Sequence, residues 1–139
     1  MADGPEDLIE PDEVSPEMLR DLFVEAYMDA SIDKDGDTLV TETYRSYIVP
    51  TLEGKWIRVY AVFGANPDAA PDDKLEYANR VNRELIIVRS YVEESGRFTF
   101  EHYIPVEGGI TKKAIVLAVR RFHRILEAAI RKDDKNVMS

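Results

Sequence analysis

Residues 85–105, LIIVRSYVEESGRFTFEHYIP, constrain this chain most. Two β-rich runs flank Glu94-Ser95-Gly96, and a three-residue loop with glycine in the left-handed conformation is a common hairpin connection. That loop sets Glu93 against Arg97, Val92 against Phe98 and Ser90 against Phe100. One face then carries Ile86, Val88, Ser90 and Val92 with Phe98, Phe100, His102 and Ile104. The other carries Ile87, Arg89 and Tyr91 with Thr99, Glu101 and Tyr103. Arg89 falls opposite Glu101, a favourable cross-strand pair. A two-residue loop would slip the register and set Arg89 against His102 among apolar side chains. Gly96 is therefore expected to hold the positive-φ position.

The rest of the chain is long enough for one domain around one core, at 139 residues and 45% hydrophobic. There is no cysteine, which excludes disulfides, thiolate metal sites and thiol catalysis. His102 and His123 are the only histidines, too few for a multi-histidine metal site. No cofactor is expected. No apolar run approaches the ~20 residues of a membrane span, and MADGPEDLIE does not read as a signal peptide. A cytoplasmic protein that does not enter a membrane is the expectation. The net charge of −9 is unevenly spread: residues 1–37 hold 13 acids and 2 bases, net −11. Of 27 acids and 18 bases in all, 14 and 16 remain, so the body is net +2. Residues 1–14 read as an acidic irregular arm, either solvated or docked on a basic surface of the domain or of a partner. Leu8, Ile9 and Val14 give the arm apolar side chains to dock with.

Ser15-Pro16-Glu17 is a helix start, with Ser as N-cap and Pro at the first helical position. Leu19, Leu22, Phe23, Ala26, Tyr27 and Ala30 follow at helical spacing, predicting a helix over 16–30. SIDKDGDTLVTE, residues 31–42, resembles an EF-hand loop, but Ser31 stands at the first ligand position. The segment that follows reads as strand where an EF-hand needs a second helix, so Asp33–Asp37 is expected to be a turn between helix and strand. Strands are expected over 38–43, 45–52 and 56–63. In the last, Ile57, Val59, Ala61 and Phe63 share one face, and Trp56, Arg58, Tyr60 and Val62 the other. Asp72 is expected to cap a helix over 73–84 with Leu75, Ala78, Val81 and Leu85 on its apolar stripe. After the hairpin, Thr111 caps a last helix over 112–132, and residues 133–139 are expected to fray. The order α-β-β-β-α-β-β-α, with short β connections, predicts an α+β fold: an antiparallel sheet with helices on one face, over residues 15–132.

Leu75–Arg83, LEYANRVNR, and Ile104–Thr111, IPVEGGIT, taken with this element order, resemble the YbjN-type family of bacterial sensory transduction regulators. That resemblance implies a fold related to type III secretion chaperones, a scaffold of protein-binding modules on which immunity proteins against toxins also occur. It brings no catalytic residues. Asn79 and Asn82 read as structural: asparagine is a poor mid-helix residue unless its amide bonds elsewhere, here to the following strand or the preceding loop. Gly108 and Gly109 supply backbone freedom before the Thr111 cap.

No nucleophile–base pattern, P-loop or dinucleotide motif is present, so no enzyme is expected. If the third strand and the hairpin share a sheet, Trp56, Arg58, Tyr60, Arg89, Tyr91 and Tyr103 lie together on its outer face. Aromatics with arginine are the composition of protein interface centres. The expected function is therefore a protein-binding module that holds or neutralises a partner: a toxin, as an immunity protein, or a secreted effector, as a chaperone, or a regulator. A homodimer mate, or another part of the chain, would also cover the face. The alternative is a nucleic-acid-binding regulator, since open aromatic sheets stack bases, but the acidity of the chain opposes phosphate binding. The defective EF-hand pattern gives a first test. Calorimetric titration with calcium should show no stoichiometric uptake, and tight one-to-one binding would overturn the turn reading.

Overall fold

The computed structural model describes residues 7–138. Three helices, α1 (Pro16–Glu25), α2 (Pro71–Glu84) and α3 (Lys112–Arg131), accompany six strands. These are β1 (Asp29–Ile32), β2 (Thr38–Thr41), β3 (Arg45–Thr51), β4 (Trp56–Phe63), β5 (Arg89–Val92) and β6 (Phe98–Pro105). They form one sheet in the order β1-β2-β3-β4-β6-β5, antiparallel throughout. The expected α+β class holds, with one strand more than expected.

The extra strand replaces the end of the first helix. The helical spacing of Ala26, Tyr27 and Ala30 is outweighed by a break at Tyr27, whose φ is 62°. α1 stops at Glu25, and Ala30 lies in β1. The Asp33–Asp37 turn therefore joins two strands. Asp33 Oδ1 accepts the backbone N–H groups of Asp35 and Asp37, both at 2.9 Å, so this carboxylate serves the turn.

The β5–β6 hairpin has the expected register, with Arg89 opposite Glu101 and Val92 opposite Phe98, and Gly96 has φ 93°. Its first strand begins later than expected. Ile87 sits at φ 58°, and Ile86, expected on the core face, is 72% exposed. The two outer hairpins share one design. Ile32 opposes Thr38 across a turn with Gly36 at φ 88°, as Val92 opposes Phe98 across the Gly96 turn. Each follows a helix and a left-handed residue, Tyr27 or Ile87. From either margin the sheet reads outer hairpin, then an inner strand, so an approximate internal twofold passes between β3 and β4.

The core lies between the sheet and the helices. Ile57, Val59 and Ala61 of β4 and Phe98, Phe100 and Ile104 of β6 meet Leu19 and Phe23 of α1, Tyr77 and Val81 of α2, and Ile115, Val119, Phe122 and Leu126 of α3. Leu75 is exposed and Tyr77 takes its expected place, its hydroxyl donating to the Ala129 carbonyl at 2.6 Å. α2 begins two residues earlier than expected, with Pro71 first and Ala70 rather than Asp72 as N-cap. Asn82 and Asn79 part ways. The Asn82 amide accepts the Ser90 N–H at 2.7 Å and donates to the Ser90 carbonyl at 3.0 Å, while Asn79 lies exposed.

Both chain ends are docked where they are described. Ile9 is buried and exchanges backbone hydrogen bonds with Ile110 at 2.7 and 3.0 Å. Pro11–Glu13 form a 3-10 turn, so this stretch is less irregular than expected; residues 1–6 of the arm lie outside the described residues. Gly109 makes room for Leu8: a Cβ there would lie 2.7 Å from Leu8 Cδ1. The tail does not fray as expected. The Asp133 carboxylate accepts the N–H groups of Val137 and Met138 at 2.8 and 3.1 Å, and both side chains are buried. The Val137 carbonyl accepts the Asn66 N–H at 2.8 Å.

Two stability predictions follow from this packing. A side chain at Gly96 meets nothing closer than Lys74 Nζ at 3.7 Å, so Gly96→Val tests backbone conformation alone. It should cost about 1 kcal/mol or more in urea unfolding; no change would contradict the turn. The second concerns His123, whose Nε2 lies 2.7 Å from Ser46 Oγ. Burial pushes its imidazole below the ordinary value, with Glu42 and Glu127 opposing. Folding thus favours the neutral ring, whereas the unfolded chain takes up a proton near pH ~6.5. The stabilisation is complete above that pH and is lost as pH falls below it. The urea midpoint should drop between pH ~7 and ~5.5, and less so in His123→Gln; equal slopes in the two proteins would refute this.

Candidate functional site

With all three helices on one side, the other side of the sheet carries every second residue of its strands. β4 and β6 run antiparallel with Arg58 opposite Tyr103 and Tyr60 opposite Glu101. β5 adds Arg89 opposite Glu101 and Tyr91 opposite Thr99. The alternation of β4 and the hairpin register therefore bring Trp56, Arg58, Tyr60, Arg89, Tyr91 and Tyr103 onto one surface, where sequence reasoning expected them.

Their centre is Glu101, which is 1% exposed although no helix covers it. Arg58 Nε donates to Glu101 Oε1 at 2.8 Å, and Arg89 pairs with Oε2. Tyr91 Oη lies 3.4 Å from Oε1 and 3.3 Å from Arg58 Nη2. A buried carboxylate is stable only when paired and hydrogen-bonded, and here two guanidiniums and a phenol do this. For Arg58, burial works against the charged form, but the Glu101 bond outweighs it and the guanidinium stays firmly protonated. The Arg58 guanidinium also sits 4.0 Å over the Tyr60 ring, which stacks on Tyr47 with centroids 5.0 Å apart. Beside the cluster the Glu93 carboxylate accepts from Thr99, and that bond, with Arg97, holds it below its ordinary range.

Trp56 and Tyr103 differ from this set. They meet edge to face at 6.5 Å and remain 38% and 39% exposed. Leu52 and Ile87 are likewise exposed apolar side chains. The sequence signalled Trp56 and Tyr103 by alternation. The same alternation had put Ile87 on the outer face, but it gave no sign that Ile87 would precede the strand at φ 58°, nor any signal for Leu52, which is exposed at φ 50°. Glu101 was visible as a partner of Arg89, but its role as the hub required the β4–β6 register. Tyr47 was missed because its stacking partner lies on another strand.

Little here suggests bond-making chemistry. Ser46 and His123 touch, but they are 0% and 2% exposed, beyond the reach of a substrate. Among the described residues no group of three or more His, Cys, Asp or Glu side chains is placed to hold a metal ion. None of their helices is long and apolar enough to cross a membrane.

Comparison with known proteins places this geometry. E. coli YbjN, described as "a putative transcription regulator", shares the fold with a TM-score of 0.76 at 12% identity, over 88% of this chain and 94% of that one. A protein from Methanothermobacter thermautotrophicus matches at 0.57 and 14% identity, over 84% and 94%. The Yersinia pestis type III secretion chaperone SycH, solved in complex with a stable fragment of YscM2, matches at 0.50 and 13% identity, over 84% and 97%. At such identities these likenesses speak for the fold. No match was found among curated proteins. The YbjN family, "Putative bacterial sensory transduction regulator", matches residues 15–134, nearly the whole chain outside the acidic arm, and this chain belongs to it.

Proposed function

We propose that this protein is a non-enzymatic binding module that holds or neutralises a partner protein on the open face of its sheet. The observation that carries this reading is the pair Trp56 and Tyr103, large rings kept half-exposed at the margin of a self-satisfied polar cluster. Burying them against a partner would remove much apolar area from water, with Arg89 beside them as an oriented donor. SycH, of related fold, was crystallised with a protein fragment, which supports a partner of the same class. A toxin held by an immunity protein and an effector held by a chaperone are both versions of this reading. A toxin gene or a secretion gene beside this one would favour the first or the second.

The face is less suited to nucleic acid. Glu101 neutralises one of the two central arginines, and Tyr60 is already stacked on Tyr47. Neither the free positive charge nor the free ring faces that phosphates and bases require is plentiful.

The six expected site residues thus divide by role, and mutation should separate them. Trp56→Ala and Tyr103→Ala should leave unfolding cooperative, with losses of about 1.5 kcal/mol or less, because both rings are already half in water. Each should weaken binding to the partner recovered from the native host by about 2 kcal/mol or more. Arg58→Met should instead destabilise by about 3 kcal/mol, since it leaves the buried Glu101 carboxylate with only Arg89 and Tyr91. Full-strength binding by folded Trp56→Ala and Tyr103→Ala proteins would sink the assignment of the face.

A further inference from the structure

The two margins of the sheet are related by the internal twofold, yet they end differently. In each outer hairpin the turn is closed by a backbone bond, Asp33 N–H to the Asp37 carbonyl at 2.9 Å and Glu93 N–H to the Arg97 carbonyl at 2.8 Å. Antiparallel ladders alternate bonded and non-bonded pairs from such a turn, so Ala30 and Ile32 on β1, like Ser90 and Val92 on β5, turn their backbone groups outward. At Ser90 both outward groups are taken by the Asn82 amide, as though a further strand were already there. At the matching turn of α1 stand Leu22 and Phe23, which have no polar atom to offer. Among the described residues nothing bonds the outward N–H or carbonyl of Ala30. One margin is closed by an asparagine and the other is left open. Proteins ordinarily guard such edges, so an edge left bare opposite a guarded one is a site for strand addition.

We propose that the β1 edge takes up an extended, basic segment of a partner protein as a further strand of the sheet. It rests on the reading of this chain as a protein binder, but on a part of the sheet distant from Trp56 and Tyr103. Charge chooses the occupant. Asp29 opens β1, and Asp33, Asp35 and Asp37 lie in the turn that follows it, with Lys34 as the one basic residue in that turn. The Asp37 carboxyl is pushed above its ordinary value by partial burial and then by the like charges of Asp33 and Asp35. A second copy of β1 would bring acids against acids, which disfavours self-pairing. A strand with lysines or arginines at alternate positions would meet Asp29 on the open face and the turn acids at the far end, while its backbone bonds Ala30 and Ile32.

The test follows individual amides by nuclear magnetic resonance in the full-length protein. In the free protein the Ala30 and Ile32 amides should exchange rapidly with solvent while Ser90 is protected. A short synthetic peptide alternating valine and lysine is the probe. It should shift and protect Ala30 and Ile32, and should bind about tenfold or more tightly than the same peptide N-methylated at alternate residues, which lacks the donors. Replacing its lysines by glutamates should abolish the effect. Ala30→Pro, which removes an outward N–H and no ladder bond, should do the same. If Ala30 and Ile32 are unmoved at millimolar peptide, or the N-methylated peptide binds equally well, the proposal fails. Perturbation of Trp56 and Tyr103 instead would overturn the edge site while leaving the face reading intact. Protection of Ala30 that grows with protein concentration alone would assign the edge to a second copy, and would overturn it too.

Discussion

The structure depends on a one-sided arrangement: three helices cover one face of a six-stranded sheet, and the other face must stabilise itself. A face without a helical layer ordinarily relies on water. Here it carries a buried carboxylate, Glu101, which persists because Arg58, Arg89 and Tyr91 converge on it from neighbouring strands. The cluster ties β4, β5 and β6 together from the outside, as the apolar core does from the inside. Desolvating these groups has a cost, and such clusters are weak evidence for stability as such. What this one does is fix the positions of Tyr60, Tyr91 and both arginines, so that the rings at the margin, Trp56 and Tyr103, stand on a rigid surface. Rigid, half-exposed aromatics lose little entropy when a partner covers them.

The internal twofold explains the frame, and its departures mark the places with something further to do. Both outer hairpins turn at a glycine and both follow a left-handed residue. Where Arg89 stands on β5, Asp29 stands on β1, so the two margins of the open face differ in charge sign. Where Ser90 is held by Asn82, Ala30 is not held. The sheet thus has an acidic, open margin and an arginine-bearing, closed one, so its open face changes charge sign from one side to the other.

Much of this was legible in the sequence, for physical reasons that can be named. The Gly96 loop and the strict alternation after it fixed the β5–β6 register, and with it the Arg89–Glu101 pair. The β4 alternation put Trp56, Arg58 and Tyr60 on the outer face. Periodicity misled where a short segment fits two patterns. Ala26, Tyr27 and Ala30 continue a helical stripe, but Tyr27 takes a left-handed conformation that no local signal announces, and β1 is too short to declare itself. Val137 and Met138 looked like part of a frayed tail because their anchors are distant: a bond to Asn66 and a bridge between Met138 and Ala65. Asn79 and Asn82 carry the same letter in the same helix, and only the position of β5 tells which one closes an edge. Hubs such as Glu101 belong to the sheet order, which local patterns do not contain.

Trp56 is the single tryptophan of the chain and stands on the open face, so its fluorescence reports coverage of that face directly. The decisive measurement is its emission maximum and its quenching by acrylamide, in the free protein and at saturation with the native partner. The account predicts a red-shifted, readily quenched tryptophan in the free protein. On binding it should shift to the blue and lose most of its quenching. A saturated complex in which Trp56 emits and quenches as it does in the free protein would contradict the claim that this face is where the partner is held.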